Sequence, residues 1–230
     1  MLHEAFRVRI PVFGPVVITR RLHLDALLHG VMVSLGMSEP GRVEDIPLKK
    51  TGPIFHGSAA FLYSHGDPVR SRRQNWRVQR WDTYSEFVTY GNDDVKKAQE
   101  IVSVLPGNKN NLSRHVLLFP DEVIFHGVGD IDAVNEILKE GLFGIGKRQW
   151  SNVRKNEIQV EQLNKDGSIV WESLPARTVP VDVWTELTGK SSADLPIEME
   201  SFFPPYWRTE KTACVVPPIR GRFFMEEDAA

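Results

Sequence analysis

Residues 122–150 read EVIFHGVGDIDAVNEILKEGLFGIGKRQW, and this stretch combines a strand pattern, a helix pattern and a glycine-rich segment. Asp130 occupies the position of a helix N-cap, and Gly141 follows the last turn. The apolar residues between them recur at helical spacing on one face: Ile131, Val134, Ile137 and Leu138. The stretch therefore predicts a short strand, a helix that stops at Gly141, and a glycine-rich loop.

The first 35 residues repeat the order of strand and helix. Apolar and basic residues alternate from Phe6 to Ile10, which is typical of a half-buried strand with its arginines on one face. After the Gly14-Pro15 break, Thr19 is a candidate N-cap. Leucines and valines then follow at spacings of three and four, so we predict a helix over 20–35.

The remaining segments have weaker patterns and predict a mixed α+β protein. We expect strands within 54–63, 115–119, 122–126, 157–163 and 168–171, and a helix over 93–105. Residues 174–222 are rich in proline and predict strands and loops, and the chain ends in the acidic tail 225–230.

Composition excludes several classes of protein. The single cysteine, Cys214, excludes an internal disulfide framework and a zinc site made of several thiolates. No stretch approaches the roughly 20 apolar residues of a membrane helix, and the first ten residues carry charges where a signal peptide is apolar. These features predict a cytoplasmic protein without membrane contact. The sequence also lacks the spacing of a zinc helix, a serine nucleophile elbow or a two-metal nuclease, so we expect no metal and no cofactor.

Charge is distributed unevenly although the net charge is only −2. Residues 1–81 contain 12 Lys or Arg and 6 Asp or Glu, whereas residues 82–230 contain 16 and 24. Such asymmetry favours a polyanion as the partner of the first part and other contacts for the second. Chance scatter of surface charge is the alternative.

The most basic stretch is DPVRSRRQNWRVQRW, residues 67–81. It has five arginines after Pro68 and no acidic residue before Asp82. Guanidinium groups neutralise phosphates, and tryptophans such as Trp76 and Trp81 stack on unpaired bases. The pattern predicts one arm of a hairpin that binds single-stranded RNA; the alternative is a solvated basic hairpin whose tryptophans are buried.

The glycine-rich segment allows two interpretations as a phosphate-binding loop. Gly141, Gly146 and Lys147 match most of the nucleotide triphosphatase pattern, but Arg148 stands where that pattern requires Ser or Thr, and the segment follows a helix instead of a strand. A loop that cradles phosphates without hydrolysis needs only backbone amides and nearby cations. We favour this second interpretation, with a helix cap followed by a bulged strand as the structural alternative.

Two stretches resemble the RAMP superfamily of CRISPR proteins. They are VIFHGVGD (123–130) with the following helix and GIGKRQWSNV (144–153), and GPVVITRRLHLDALL (14–28) near the start. The resemblance is greatest over 5–35 and 115–160, and the chain is most similar to the Cas-five-like subunit of type IV effector complexes. It departs from the family at Trp150-Ser-Asn152, where many members have another glycine.

This resemblance implies a ferredoxin-like βαββαβ core over 1–160, a thumb-like hairpin insertion over about 54–90, and a β-rich region over 161–230. It implies a subunit without catalytic residues that binds the 5′ handle of the guide RNA and caps one end of the complex. Its partners would be the guide RNA, a Cas-seven-like backbone subunit and the large subunit, and contact with target DNA stays open. The candidate RNA-binding residues are Arg20, Arg21, Arg70, Arg72, Arg73, Trp76, Arg77, Arg80, Gly144, Gly146, Lys147 and Arg148.

Two alternatives belong to other functional classes. A Cas-six-like endoribonuclease would cut the CRISPR repeat without metal, and its general base would be His23 or His29, on or near the first helix. A protein-binding scaffold would use the acidic second part and the proline-rich segment 196–218 and would bind no RNA tightly.

Overall fold

The structure is a computed structural model, and it divides into two compact units. One unit comprises residues up to Arg70 together with those from Leu118 onward, and the other comprises Ser71–Leu117. The described residues are 3–18, 21–65, 69–78, 111–146, 151–204, 206 and 210–218, with the backbone alone for 73–78 and 111–115.

Runs of strands that pair in antiparallel sheets are separated by three helices among the described residues, so this is an α+β protein. The first described elements are β1 (Glu4–Phe13), α1 (Leu24–Ser34), β2 (Lys50–Thr51), β3 (Ile54–Phe55), β4 (Phe61–Tyr63), β5 (Arg70–Val78), β6 (Asn111–Phe119) and β7 (Glu122–Gly129). They are followed by α2 (Ile131–Gly141), β8 (Asn152–Val153), a 3-10 turn (Lys155–Glu157), β9 (Gln159–Gln162), β10 (Val170–Trp171), β11 (Leu174–Pro175), β12 (Val179–Pro180), α3 (Val181–Thr188), β13 (Ile197–Glu200) and β14 (Thr212–Val215).

The main sheet is antiparallel and has β1 at its centre. Its order is β4–β7–β1–β8, and β9 pairs with β1 on the same side as β8. The register of β1 against β7 runs from Glu4 opposite Gly129 to Pro11 opposite Glu122. Strand β4 adds to the outer edge of β7.

The two faces of β1 differ as its alternating sequence predicts. Phe6, Val8 and Ile10 are fully buried against α1 and α2, which cover this face of the sheet. Arg7 and Arg9 lie on the other face, where they form ion pairs of 2.9 Å with Glu161 and Glu122. Period-two alternation therefore places the hydrophobic core on the helical side of the sheet.

Helix α2 has the predicted N-cap, and Gly141 at its end allows close packing against α1, which the sequence did not indicate. Asp130 accepts a hydrogen bond of 3.0 Å from the amide of Ala133. A Cβ at Gly141 would lie 2.5 Å from Cγ1 of Val31, so the glycine permits close packing of α2 on α1. The cap residue after it is Leu142, in an extended conformation.

Helix α1 is shorter than the predicted range 20–35 because the preceding residues are extended. It begins at Leu24, and the N-cap is His23, whose side chain forms no capping hydrogen bond. His23 bridges to Ala59, and the carbonyl of Leu22 accepts from the amide of Ala60. These pairings hold residues 22 and 23 in an extended conformation, so the helix cannot start earlier.

The C-terminal region contains a helix as well as strands. Strands β12, β14 and β13 form a sheet in that order, and α3 packs on it through Trp184, which is 1% exposed. The prediction of only strands and loops in this region is wrong, because Val181–Thr188 forms α3. The predicted boundary at residue 160 lies within one compact unit, which includes the described residues from Leu118 to residue 218.

The insertion has bounds different from those predicted. Residues 54–63 supply β3 and β4, and β4 is part of the main sheet. The second compact unit instead begins at Ser71 and ends at Leu117, between β4 and β7 in chain order. The predicted helix over 93–105 lies outside the described residues.

Candidate nucleic-acid interface

The arginine-rich stretch forms a strand in a two-stranded sheet. Strand β5 pairs with β6, and together they contain five arginines and no Asp or Glu. The side chains of Arg70 and Arg72 are exposed. The five arginines are Arg70, Arg72, Arg73, Arg77 and Arg114.

Several predicted residues of this stretch have no described side chain. The backbones of Arg73, Trp76 and Arg77 lie in β5. Arg80 and Trp81 lie outside the described residues. The described strands thus form a ribbon whose sequence has five positive charges and no negative one, which suits a phosphate backbone.

The glycine-rich segment that follows α2 is mostly buried, with one exposed phenylalanine. Leu142 and Ile145 are buried in the core, whereas Phe143 between them is 64% exposed. Gly144 is buried, and Gly146 is half-buried. Lys147 and Arg148, the predicted cations of the loop, lie outside the described residues.

A buried serine holds the two ends of this loop together. The Ser151 hydroxyl accepts from the amide of Ile145 at 2.9 Å and donates to the carbonyl of Ile145 at 2.8 Å. Ser151 itself is fully buried. In the sequence, this position stands out only because many members of the similar family carry a glycine close to it, and no local pattern predicts the Ser151–Ile145 hydrogen bonds.

Gly146 is required by both its conformation and its surroundings. Its φ angle is +86°, where residues with a side chain are strained. A Cβ at this position would also lie 2.7 Å from the carbonyl oxygen of Val17. The start of the loop is therefore fixed against the segment that follows β1.

Beside the loop is a surface that the sequence analysis missed, which we call the aromatic–cation patch: Phe13, Phe143, Arg154 and Lys155. The guanidinium carbon of Arg154 lies 3.8 Å from the ring centre of Phe13. The ammonium of Lys155 lies 3.5 Å from the ring centre of Phe143. The only sequence signal is the basic pair that follows Asn152-Val153, which a reader of the sequence has no reason to place near either phenylalanine.

Arg21 was predicted to bind RNA, but its side chain is engaged within the protein. It donates to both carboxylate oxygens of Glu198, at 3.0 and 2.9 Å, and to the carbonyl of Pro217 at 2.8 Å. The Arg21 side chain is 6% exposed. We therefore leave Arg21 out of the interface; Arg20 lies outside the described residues.

The two histidines of the nuclease alternative are buried. His23 stacks on Tyr206 and has Nε2 3.1 Å from the hydroxyl of Thr178. Burial, with Arg177 as the second cause, lowers the pKa of His23 to about 3, so the ring is neutral at pH 7. His29 is 5% exposed, and its Nε2 lies 3.4 Å from the carbonyl oxygen of Glu39. Neither ring is placed to reach an RNA 2′-hydroxyl.

Neither a metal site nor a membrane-spanning helix is found among the described residues. Within the described ranges, no three His, Cys, Asp or Glu side chains gather as metal ligands would. Among the described helices, none is both long and apolar enough to cross a membrane. No family model matches the chain, and no curated protein matches it significantly.

Proposed function

We propose that this chain is a non-catalytic RNA-binding subunit of a CRISPR effector ribonucleoprotein. It holds the 5′ handle of the guide RNA and caps one end of the complex, which supports recognition of target DNA. The observation that carries the proposal is the arginine ribbon, defined as β5 and β6, with five arginines and no acidic residue.

The arginine ribbon suits RNA because of its charge and its place in the chain. Single-stranded RNA presents one phosphate per nucleotide, and neutralising phosphates with Arg or Lys supplies much of the binding free energy. The ribbon belongs mostly to a compact unit inserted between β4 and β7. This supports the interpretation of the insertion as a thumb that contacts the guide.

The order of elements in the main sheet supports a ferredoxin-like core. The elements β1, α1, β4, β7, α2 and β9 follow one another as βαββαβ, if β2, β3, the insertion, β8 and the 3-10 turn are set aside. Their strands lie in the order β4–β7–β1–β9, all antiparallel, with both helices on one face. This arrangement favours the RAMP interpretation over the scaffold alternative.

The glycine-rich loop supports the same function at a second place. Its entry is fixed by Gly146 against Val17, and its ends are joined through Ser151. Such a rigid frame suits a loop whose backbone amides bind phosphate. The Cas-seven-like and large subunits, as protein partners, and contact with target DNA rest on the resemblance.

The test compares two triple variants of the full-length chain for binding of end-labelled handle RNA. Arg72, Arg73 and Arg77 changed to Ala remove three charges from the ribbon. Lys165, Lys190 and Lys211 changed to Ala remove the same charge from exposed positions elsewhere. We expect loss of retention for the arginine variant only, with a salt slope less steep by about 2 if each arginine contacts one phosphate.

Retention and cleavage are scored in the same metal-free incubation with a CRISPR repeat RNA and a mature guide. Handle-dependent retention without cutting supports the proposal. Equal retention by both triple variants would overturn the role of the ribbon. Cutting at one repeat position would favour the endoribonuclease alternative and would require a base other than the buried His23 and His29.

A further inference from the structure

The aromatic–cation patch is built around strand β8. Asn152 of β8 pairs with Phe13 at the end of β1. The amide of Val153 donates a hydrogen bond of 3.2 Å to the carbonyl of Phe143. The two phenylalanines, distant in sequence, are therefore both tied to the same short strand.

The two residues after β8 place one cation on each ring. Arg154 lies over Phe13 and Lys155 over Phe143, at the distances given above. Lys155 also donates to the carbonyl of Glu140, which fixes its position. Arg154 pairs with Glu157 at 2.9 Å, and both side chains are about half exposed.

Both rings keep much of their surface open to solvent. Phe143 is 64% exposed and Phe13 is 41% exposed, although each has a cation against it. A ring with this much exposed surface can contact a base while it keeps its cation. Exposed aromatic faces next to cations are the combination by which proteins bind unpaired bases and their phosphates.

The patch is continuous with the glycine-rich loop. Phe143 directly precedes Gly144, and Asn152 directly follows Ser151, which closes the loop. The cations favour a polyanion over an apolar protein partner as the occupant.

We propose that the aromatic–cation patch binds unpaired nucleotides of the guide RNA beside the glycine-rich loop. Phe13 and Phe143 stack on bases, and Arg154 and Lys155 contact the flanking phosphates. This inference rests on the proposed RNA-binding function and adds a base-stacking site to it. Because a phenyl ring stacks on any base, the site recognises unpaired nucleotides and not their sequence.

The test measures binding of handle RNA to the full-length chain and to the double variant Phe13→Ala with Phe143→Ala. Each RNA is made intact and as a series with one abasic nucleotide per position. We expect the intact RNA to bind the double variant about 10- to 100-fold more weakly. One or two abasic positions should weaken binding to the natural chain but not to the variant, because the lost base and the lost ring belong to the same contact.

Two further variants separate stacking from general loss of apolar surface. The variant Phe13→Leu with Phe143→Leu keeps apolar side chains at both positions, so it should fold as the natural chain does. It lacks the aromatic rings and should therefore show most of the loss in RNA affinity seen in the double alanine variant. Ile197→Ala with Met199→Ala removes exposed apolar side chains from β13 and should bind as the natural chain does. The salt slope should not change in the phenylalanine variants, in contrast to the arginine triple variant.

The outcomes distinguish this inference from the proposed function. If the natural chain retains handle RNA and the phenylalanine variants bind it equally well with the same abasic pattern, the stacking site is overturned and the proposed function stands. An equal loss of RNA affinity in the β13 variant also overturns the stacking site. So does a phenylalanine variant that binds RNA normally but fails to assemble with protein partners. If the natural chain retains no handle RNA, both proposals fail.

Discussion

Asp25 in the first turn of α1 and Arg177 just before β12 form a bidentate ion pair with no exposed side-chain surface. The two N–O distances are 3.0 and 2.9 Å. The hydroxyl of Tyr206 donates to the same carboxylate, and Arg177 also donates to the carbonyl of Phe202. Burial alone would raise the pKa of Asp25, but the Arg177 guanidinium outweighs it and holds that pKa below its usual range. The pair joins the first helix to the C-terminal region.

Replacing Arg177 with Met should destabilise the protein strongly. The change leaves the Asp25 carboxylate buried without its cation, and removing one partner of a buried pair costs about 3–5 kcal/mol. The free energy of unfolding from urea titration measures the effect. Arg42→Met is the matched control, because Arg42 and its partner Asp45 are exposed and such pairs contribute less than about 1 kcal/mol. Equal losses for the two variants would contradict the prediction.

Local contacts of this fold can be predicted from the sequence, whereas long-range contacts such as the ion pair of Asp25 and Arg177 cannot. Helix α2 and strand β1 were predicted correctly because capping and periodicity act between near neighbours, as Asp130 and the alternation from Phe6 to Ile10 show. Asp25 and Arg177 are 152 residues apart, and no local pattern reports such a contact. Helix α3 was not predicted, although Gly189 caps its end in the left-handed conformation. A helix of eight residues shows only about two turns of apolar spacing, and the prolines around it favour strands and loops.

The sequence indicates those parts of the candidate site that depend on residue composition. It does not indicate those parts that depend on side-chain packing. The arginines of β5 and the glycines after α2 are visible in the sequence. The exposure of Phe143 between two buried neighbours is not, because a run of apolar residues does not show which ones leave the core. Arg21 was assigned to RNA because of its charge, whereas its acidic partner Glu198 is 177 residues away.

His126 should make stability depend on pH between about 6.5 and 4. Its ring is fully buried and stacks on Trp171 at 4.0 Å, and neither ring nitrogen has a hydrogen-bond partner among the described residues. Burial, with Arg7 as the second cause, lowers its pKa to about 4. The unfolded chain takes up a proton below about 6.5 and the folded chain does not, so stability falls as the pH drops, by on the order of 3 kcal/mol.

The variant His126→Phe tests this dependence. Phenylalanine keeps a ring against Trp171 and has no group to protonate, so the fall in stability from pH 7 to pH 4.5 should become smaller. His23 keeps part of the slope, since its pKa is lowered as well. Urea titrations at pH 7, 5.5 and 4.5 measure the free energy of unfolding of each protein. The control is His65→Gln, because His65 is exposed. An unchanged slope in His126→Phe would rule out this cause.

Ser151→Ala should lower both stability and RNA affinity. The change leaves the amide and carbonyl of Ile145 without their described side-chain partner in a buried place, which costs about 1–3 kcal/mol. The loop ends are then no longer joined, so handle RNA should bind more weakly at a temperature where the variant is folded. Ser191→Ala removes an exposed hydroxyl that accepts one local hydrogen bond and should change neither quantity. Full RNA affinity in Ser151→Ala would show that the clamp does not position the loop.

Gly146→Ala should displace the start of the same loop through its backbone. The alanine would have to keep a φ of +86°, and its Cβ would meet the Val17 carbonyl, which is backbone and cannot rotate away. Strain of this kind costs about 1–3 kcal/mol, and the shift should weaken binding of handle RNA. Gly30→Ala is the matched control: Gly30 is exposed in α1 with open space around its Cβ position, so alanine should stabilise the helix by about 0.5–1 kcal/mol. Opposite signs for the two glycines in thermal unfolding, with RNA affinity reduced only in Gly146→Ala, are the expected result. A Gly146→Ala protein as stable as the natural chain would mean that Val17 does not restrain this loop.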